Sequence, residues 1–307
     1  MSEPRLMLLD TASLYFRAFF GVPDSVTSPR GEPVNAVRGL LDFIARLVGD
    51  YSPTHLACCW DEDWRPQWRV DLLPSYKAHR VVEEVTGDPD VEEVPDPLQV
   101  QVPVILEVLE ALGIAVVGAA GYEADDVIGT LATDAGMPVD VVTGDRDLFQ
   151  LVDDASGVRV LYTARGVGRH EQVTDEWVVG KYSVLPSQYA DFATLRGDSS
   201  DGLPGVAGVG EKTAASLLLR YGDLDAVRAA AADADSELAP APRRKIREAA
   251  AYLDVAPQVV AVVRDLDLGA TDLTLPRTPA DRGAFDALTE RWGLGSSADR
   301  VLAALGG

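Results

Sequence analysis

The chain is poor in the residues from which several common active sites are built. Of its 307 residues only Cys58 and Cys59 are cysteines. They are adjacent in an apolar run, so a pair of buried thiols in a cytoplasmic protein is expected and a structural disulfide is not. The three histidines, His55, His79 and His170, have no close spacing, which argues against a zinc centre of Cys/His type. There is no GxSxG elbow, no GxxxxGK[ST] loop and no GxGxxG after the first apolar run. No apolar stretch approaches the length of a membrane span. The opening "MSEPRLMLLD" lacks a basic region followed by a long apolar segment, so no signal peptide is expected. Positive charge is scarce too: 27 Lys and Arg stand against 49 Asp and Glu, a formal net charge of −22. So acidic a chain should repel nucleic acid unless its cations are clustered or it binds metal cations.

Apolar residues are plentiful, at 47%, enough for one large or two modest domains with a real core. "RLMLLD" (5–10), "HLACCWD" (55–61), "IAVV" (114–117) and "VDVVTGD" (139–145) read as buried strands. Residues 34–49, 98–112 and 123–135 between them read as helices. Strands separated by helices imply a parallel α/β sheet covered on both faces. The segment 83–97, "EEVTGDPDVEEVPDP", reads as an acidic, solvated connector. After about 186 the pattern turns to helices and glycine turns, so a core over 1–185 and a helical lobe over 186–307 are expected. Within that lobe 229–242 reads as a loop and 283–305 as helical.

The acids follow the strands. Asp10 ends the first and Asp61 the second. Glu123, Asp125 and Asp126 follow the third, in "GYEADDVIGT", and Asp145 and Asp147 follow the fourth. Acids in a first helical turn also complement the macrodipole. That explanation does not extend to Asp10 and Asp61, which follow strands. In a parallel sheet all the strand C-termini share one edge, where ligands bind. Like charges gathered there raise one another's pKa, and divalent cations relieve them. Mg²⁺ takes oxygen ligands, keeps several waters and needs one or two direct carboxylates. Two ions about 3.5–4 Å apart would clamp a phosphodiester.

"RGDSSDGLPGVAGVGEKTA" (196–214) adds Asp198 and Asp201 and then a glycine hairpin. Gly205, Gly208 and Gly210 permit a tight turn whose N–H groups face a phosphate, with Lys212 and Thr213 opening the next helix. An ordinary helix–helix turn is the alternative, and the Gly-hydrophobic-Gly turn followed by Lys-Thr favours phosphate binding over it. Cations cluster in "RPQWRVDLLPSYKAHR" (65–80), where Arg65, Arg69, Lys77 and Arg80 alternate with Trp68 and Tyr76 just after Trp64. Basic residues among aromatics suit single-stranded nucleic acid, and a solvated amphipathic helix is the alternative. "RRKIR" (243–247) is a second cluster, read either as a distant phosphate contact or as a solvated patch.

These motifs together resemble the bacterial 5′-nucleases of the flap endonuclease superfamily, the 5′→3′ exonuclease domain of DNA polymerase I and its stand-alone relatives. The resemblance spans about 5–295. It rests on "LLDTASLYFRAFF", "TSPRGEPVNAVRG", "WDEDWRPQWR", "YKAHR", "GYEADDVIGTLA", "TGDRDLFQL" and "LRGDSSDGLPGVAGVGEKTAASLL". It implies a PIN-like, mostly parallel twisted sheet, a helical arch at about 64–100, and a C-terminal helical lobe with a helix–three-turn–helix at about 195–220. It implies metal ligation by Asp10, Asp61, Glu123, Asp125, Asp126, Asp145, Asp147, Asp198 and Asp201, with two or more Mg²⁺ or Mn²⁺ ions. Lys77 and Arg80 match the arch residues that reach the scissile phosphate, so that with Asp125 and Asp145 they form the implied catalytic set. Arg69 is implied to support DNA near the arch. The helix–three-turn–helix holds duplex DNA by its backbone and often carries K⁺.

The implied reaction is hydrolysis of DNA at 5′-flaps, nicks and 5′-ends, RNA-primed ends included, by a cytoplasmic monomer that serves replication and repair. The chain has no polymerase region, so gap filling is expected of another protein. Gly202, where the family often has Asn, is expected to loosen its turn. A junction-binding protein without catalysis is the alternative that a missing acid would favour. A small-molecule phosphatase on a similar sheet would have no use for the hairpin.

Overall fold

The computed structural model describes residues 3–81 and 95–306, and most of the acidic connector, 83–94, lies outside them. The chain opens with β1 (Leu6–Asp10), α1 (Thr11–Gly21), α2 (Asn35–Tyr51), β2 (His55–Cys59) and α3 (Gln67–Leu72). It continues through α4 (Asp96–Gln99), α5 (Val102–Leu112), β3 (Ala115–Val117), α6 (Ala124–Ala132) and β4 (Val139–Thr143). Two strands follow, β5 (Val158–Tyr162) and β6 (Glu171–Val173). The remaining regular elements are helices, with an irregular segment over 261–281: α7 (Asp175–Tyr182), α8 (Tyr189–Arg196), α9 (Glu211–Tyr221), α10 (Leu224–Ala232), α11 (Pro240–Glu248), α12 (Ala250–Leu253), α13 (Ala256–Val260), α14 (Arg282–Trp292) and α15 (Gly295–Gly306).

The six strands pair in the order β3-β2-β1-β4-β5-β6, all parallel except the β5–β6 pair. Strand order reverses between β1 and β4, and a crevice opens beyond the carboxyl ends of strands at such a switch point. Asp10 and the segment after Thr143 therefore face each other there. Alternate side chains serve the two faces, as a strand's period of two requires. Leu6, Leu8, Ala57 and Cys59 join one apolar cluster; Met7, Leu9, Leu56 and Cys58 join the other. Both cysteines are free and buried, and burial pushes the Cys58 thiol up to about 12.

The helical lobe does not stand apart. Phe192 of α8, Leu218 of α9 and Val227 of α10 share one cluster with the sheet and with Val127 of α6. An aromatic group of Phe149, Tyr182, Tyr189 and Phe192 fills the junction. The lobe expected to run to 307 is corrected at its end. Phe285, Trp292, Ala298, Val301 and Leu305 return to the opposite face, against α2 and α5. The loop expected over 229–242 shrinks to 233–239, because alanine, the strongest helix former, carries α10 to Ala232, and Pro240 occupies the first turn of α11. No helix among the described residues is long and apolar enough to cross a membrane.

Candidate active site

The switch-point crevice is a cleft of about 250 Å³ lined by Asp10, Asp61, Glu123, Asp125 and Asp145, with Lys77, Arg80 and Trp64 facing them. Two of these acids do cap helices, which corrects the view that helix ends do not concern them. Asp10 is the N-cap of α1: one oxygen accepts from Ser13 N at 3.1 Å and the other from the Thr143 hydroxyl at 2.6 Å. Asp61 accepts from Ala124 N, the first residue of α6, at 2.7 Å. Capping does not make either comfortable. Burial, against the Thr143 bond and helped by Asp61 and Asp145, pushes Asp10 up to about 7. Burial first, and Glu123 among its neighbours, raises Asp61 as well. Asp125 is raised well above the carboxylate range by burial, then by Asp10 and Asp145.

Asp147 and Asp201 continue the acidic surface. Asp147 is raised strongly by burial and then by Asp145 and Asp201, and its Oδ1 is buried without a hydrogen-bond partner among the described residues. An orphaned carboxylate oxygen in a cluster of raised acids suits a cation of hard, oxygen-seeking type. No three acids among the described residues already converge into a ligand cage. The site's own cations explain this in part: Lys77 Nζ pairs with Glu123, and Arg80 reaches Asp201 at 2.9 Å and the Ser200 carbonyl at 2.7 Å.

Three expected assignments change. Asp126 is fully buried and spent. Its oxygens accept from Arg69 at 2.7 and 2.8 Å, from Val263 N at 2.9 Å and from Glu123 N at 3.3 Å, so both are engaged behind the cleft. Arg69 is equally engaged: 2% exposed, it also binds Glu123 at 2.6 Å and the Val259 carbonyl at 3.1 Å, which turns its guanidinium to the interior. It joins α3 to the rim and fixes Glu123, which also accepts from the Tyr76 hydroxyl at 2.6 Å and pairs with Lys77. Asp198 lies outside the cleft lining. Burial would raise it, but the Ser200 hydroxyl and amide, then Arg146 and Arg196, hold it below the usual range. Arg65 is also turned inward, onto the Tyr76 and Pro74 carbonyls. Of the aromatic and basic segment, Trp64, Lys77 and Arg80 reach the cleft.

Lys77 sits at φ +48, a left-handed conformation uncommon outside glycine, with its N–H donated to the Asp201 carbonyl at 3.0 Å. Burial works against charge on its ammonium, yet Glu123 and neighbouring acids push its pKa well up, so it stays a cation. Gly202 makes this possible. At φ +70, a Cβ on it would stand 1.9 Å from the Ser75 carbonyl oxygen, so the absence of a side chain lets the 75–77 segment pack against this turn. Gly202→Ala is therefore expected to push the 75–77 segment outward, costing about 1–3 kcal/mol of stability in a denaturant melt. Cleavage should fall with it as Lys77 and Arg80 leave register.

The hairpin follows α8. The amide and carbonyl of Asp198 bond Leu203 at 3.0 and 2.8 Å, and Val206 N bonds the Leu195 carbonyl at 2.9 Å. Gly205 is required by close packing: a Cβ there would meet Gly197 N at 2.5 Å. Gly208 has φ +71, Gly210 is the N-cap of α9, and Lys212 is exposed beside half-buried Thr213 in its first turn. At the turn the Gly208 carbonyl accepts from the Lys245 ammonium at 2.7 Å.

The raised acids give the metal-free protein a defined pH response. Asp10, Asp61, Asp125, Asp147 and Asp201 bind protons in the folded state at pH values where the unfolded chain has lost them. Stability then falls as pH rises, for Asp10 between its ordinary value of 3.8 and about 7. Asp198 has the opposite sign and weakens the fold only as pH drops below the ordinary carboxylate range. Thermal melts in chelator should show a lower Tm at pH 8 than at pH 6, and Mg²⁺ should restore most where the acids are ionised.

A rim so acidic suits an anionic substrate met through cations; the serine in its lining, Ser13, accepts from the Gly144 amide at 3.1 Å, and no histidine stands in the lining to activate it. Fold and site together define a hydrolase of phosphate esters built on a parallel sheet. The chain belongs to the 5′-3′ exonuclease family. Residues 5–183 match the model of the 5′-3′ exonuclease N-terminal resolvase-like domain, and 184–282 that of the 5′-3′ exonuclease C-terminal SAM fold. A 5′-3′ exonuclease of Streptomyces coelicolor is 62% identical over 299 residues, covering 97% of this chain and 99% of the relative. DNA polymerase I of Mycobacterium bovis is 41% identical over 321 residues, covering 100% of this chain and 33% of that protein. The T5 D15 protein co-crystallised with metal ions superposes with a TM-score of 0.64 at 17% identity over 98% of both chains, a likeness of fold.

Proposed function

We propose that this exonuclease hydrolyses DNA phosphodiesters at 5′-ends, nicks and 5′-flap junctions, leaving a 5′-phosphate and a 3′-hydroxyl. The observation that carries the reading is the carboxylate cleft at the β1–β4 switch point, faced by Lys77 and Arg80. Asp10, Asp61, Asp125 and Asp145, with Asp147 and Asp201 beside them, are the residues that would hold divalent ions. Mg²⁺ or Mn²⁺ bound there would neutralise phosphate charge and lower the pKa of a water. Lys77 and Arg80 are pinned to Glu123 and Asp201. Released from these acids, they present cationic donors to the phosphate at which charge develops. Arg69 and Tyr76 hold Glu123 in place through this exchange. The hairpin at 205–210 with Lys212 and Thr213 takes the duplex by its backbone, so recognition follows junction shape and not sequence.

RNA-primed 5′-ends, a cytoplasmic site of action and a monomeric state complete the proposal. The DNA complexes solved for the fold-related Rad2 catalytic core agree with a nucleic-acid substrate. Its test is product analysis on a 5′-labelled flap duplex with Mg²⁺, with Mn²⁺ and with chelator. The expected result is short 5′-phosphorylated fragments cut near the junction in either metal and none in chelator. Intact substrate in both metals, with binding retained, would leave a junction-binding protein.

A further inference from the structure

Helix α11 carries Arg243, Arg244, Lys245 and Arg247 within its nine residues, a dense cationic run in a chain of net charge −22. Two of these cations are structural. Arg243 donates to the carbonyls of Ala234, Ser236 and Leu238 at 2.8, 2.7 and 3.1 Å and ties down the loop before the helix. Lys245 donates to the Gly208 carbonyl at the turn of the hairpin. Ile246 is buried beneath them in the core. The helix is thereby fastened both to the core and to the hairpin itself.

The remaining pair is placed differently. Arg244 and Arg247 are three residues apart, so they share one side of the helix. Both are exposed beside Pro240 and Glu248 along a shallow groove of about 490 Å³. Arg244 pairs with Glu248 at 3.6 Å with both side chains about 70% exposed, a contact of little energetic worth. Neither guanidinium is needed to hold the fold. Two exposed arginines fixed to a phosphate-binding turn form a continuation of that turn, since arginine recognises phosphate by its planar fork.

We propose that the Arg244–Arg247 face of α11 is a second contact for the phosphate backbone of duplex DNA, continuous with the hairpin through the Lys245 clasp. It rests on the reading that the hairpin grips duplex. Arg and Lys contacts of this kind release counterions, so each phosphate neutralised steepens the dependence of log K on log salt by about 0.9.

The test compares wild type with R244A/R247A and R244K/R247K on 5′-flap DNA in chelator. Kd is measured over about 50–200 mM salt and over a series of shortened duplex arms. The alanine variant should bind about tenfold or more weakly, with a slope shallower by about 2, and the lysine variant should stay near wild type. Wild type and alanine variant should converge as the duplex arm shortens. Cleavage at saturating substrate and Tm should not change. Equal Kd and slope, in a wild type that itself binds and cleaves, would overturn the proposal and leave the hairpin reading standing. An equal loss on single-stranded DNA would overturn the duplex assignment. A wild type that fails to bind duplex would overturn both.

Discussion

Asp10→Asn is expected to lower metal-dependent cleavage by about a hundredfold or more, and to leave the metal-free fold at least as stable as wild type at pH 8. The two effects have one cause. Asp10 is buried where β1 meets α1, and burial together with Asp61 and Asp145 pushes its carboxyl up to about 7. At pH 8 the ionised form is therefore held at a cost to the fold. Asparagine keeps an oxygen for the Ser13 amide, so the α1 cap survives. It also removes a charge that Asp125 and Asp145 resist. What it gives up is an anionic oxygen toward a divalent ion. A site strained for activity often gains stability when it is neutralised. Single-turnover cleavage in Mg²⁺ and a thermal melt in chelator measure the two halves. A Tm well below wild type would show that Asp10 is chiefly a structural cap.

Arg69→Met is expected to cost about 3–5 kcal/mol, the scale for breaking a buried ion pair by removing one partner. Arg69 and Asp126 face each other with side chains 3% and 0% exposed, and Glu123 shares the same guanidinium. Without it, Asp126 keeps only the Val263 and Glu123 amides, while Glu123 keeps the Lys77 ammonium and the Tyr76 hydroxyl. The Asp126→Asn change added to Arg69→Met should recover part of the loss, because it removes one of the stranded charges. Urea melts of the two single variants and the double variant give the coupling directly. Additive losses would mean that the three groups do not act as a unit. Cleavage should fall more than stability alone accounts for, because Glu123 orients Lys77.

The same network shows where sequence reasoning stops. Asp10, Asp61, Asp125 and Asp145 could be placed on one rim because parallel topology sends every strand's carboxyl end to one edge. The pairing of Arg69 with Asp126 joins positions 57 apart and depends on how α3 folds over α6, which no local pattern encodes. The sequence therefore shows both residues as charges beside the site and not the buried frame they form with each other. The packing role of Gly202 was hidden for a similar reason: its neighbour is Ser75, distant in sequence. Among the elements, α1 was missed because Asp10 ends the strand and caps the helix with no connector between them. β5 was missed because Arg159 interrupts the apolar run, its charge met by buried Asp140 on β4 at 2.6 Å. β6 is three residues long, too short for any periodicity to show.

The central claim is that the switch-point acids bind divalent ions for phosphodiester hydrolysis. It is tested most directly by comparing wild type with Asp125→Asn on a 5′-flap duplex in Mg²⁺, in Mn²⁺ and in chelator, with DNA binding measured alongside. Asp125 serves best because it stands in the cleft and outside the Arg69 frame. Cleavage at the junction by wild type in either metal, none in chelator, and loss of cleavage with binding retained in the variant are the results expected. Cleavage by wild type that persists in chelator, or that survives in Asp125→Asn, would contradict the account.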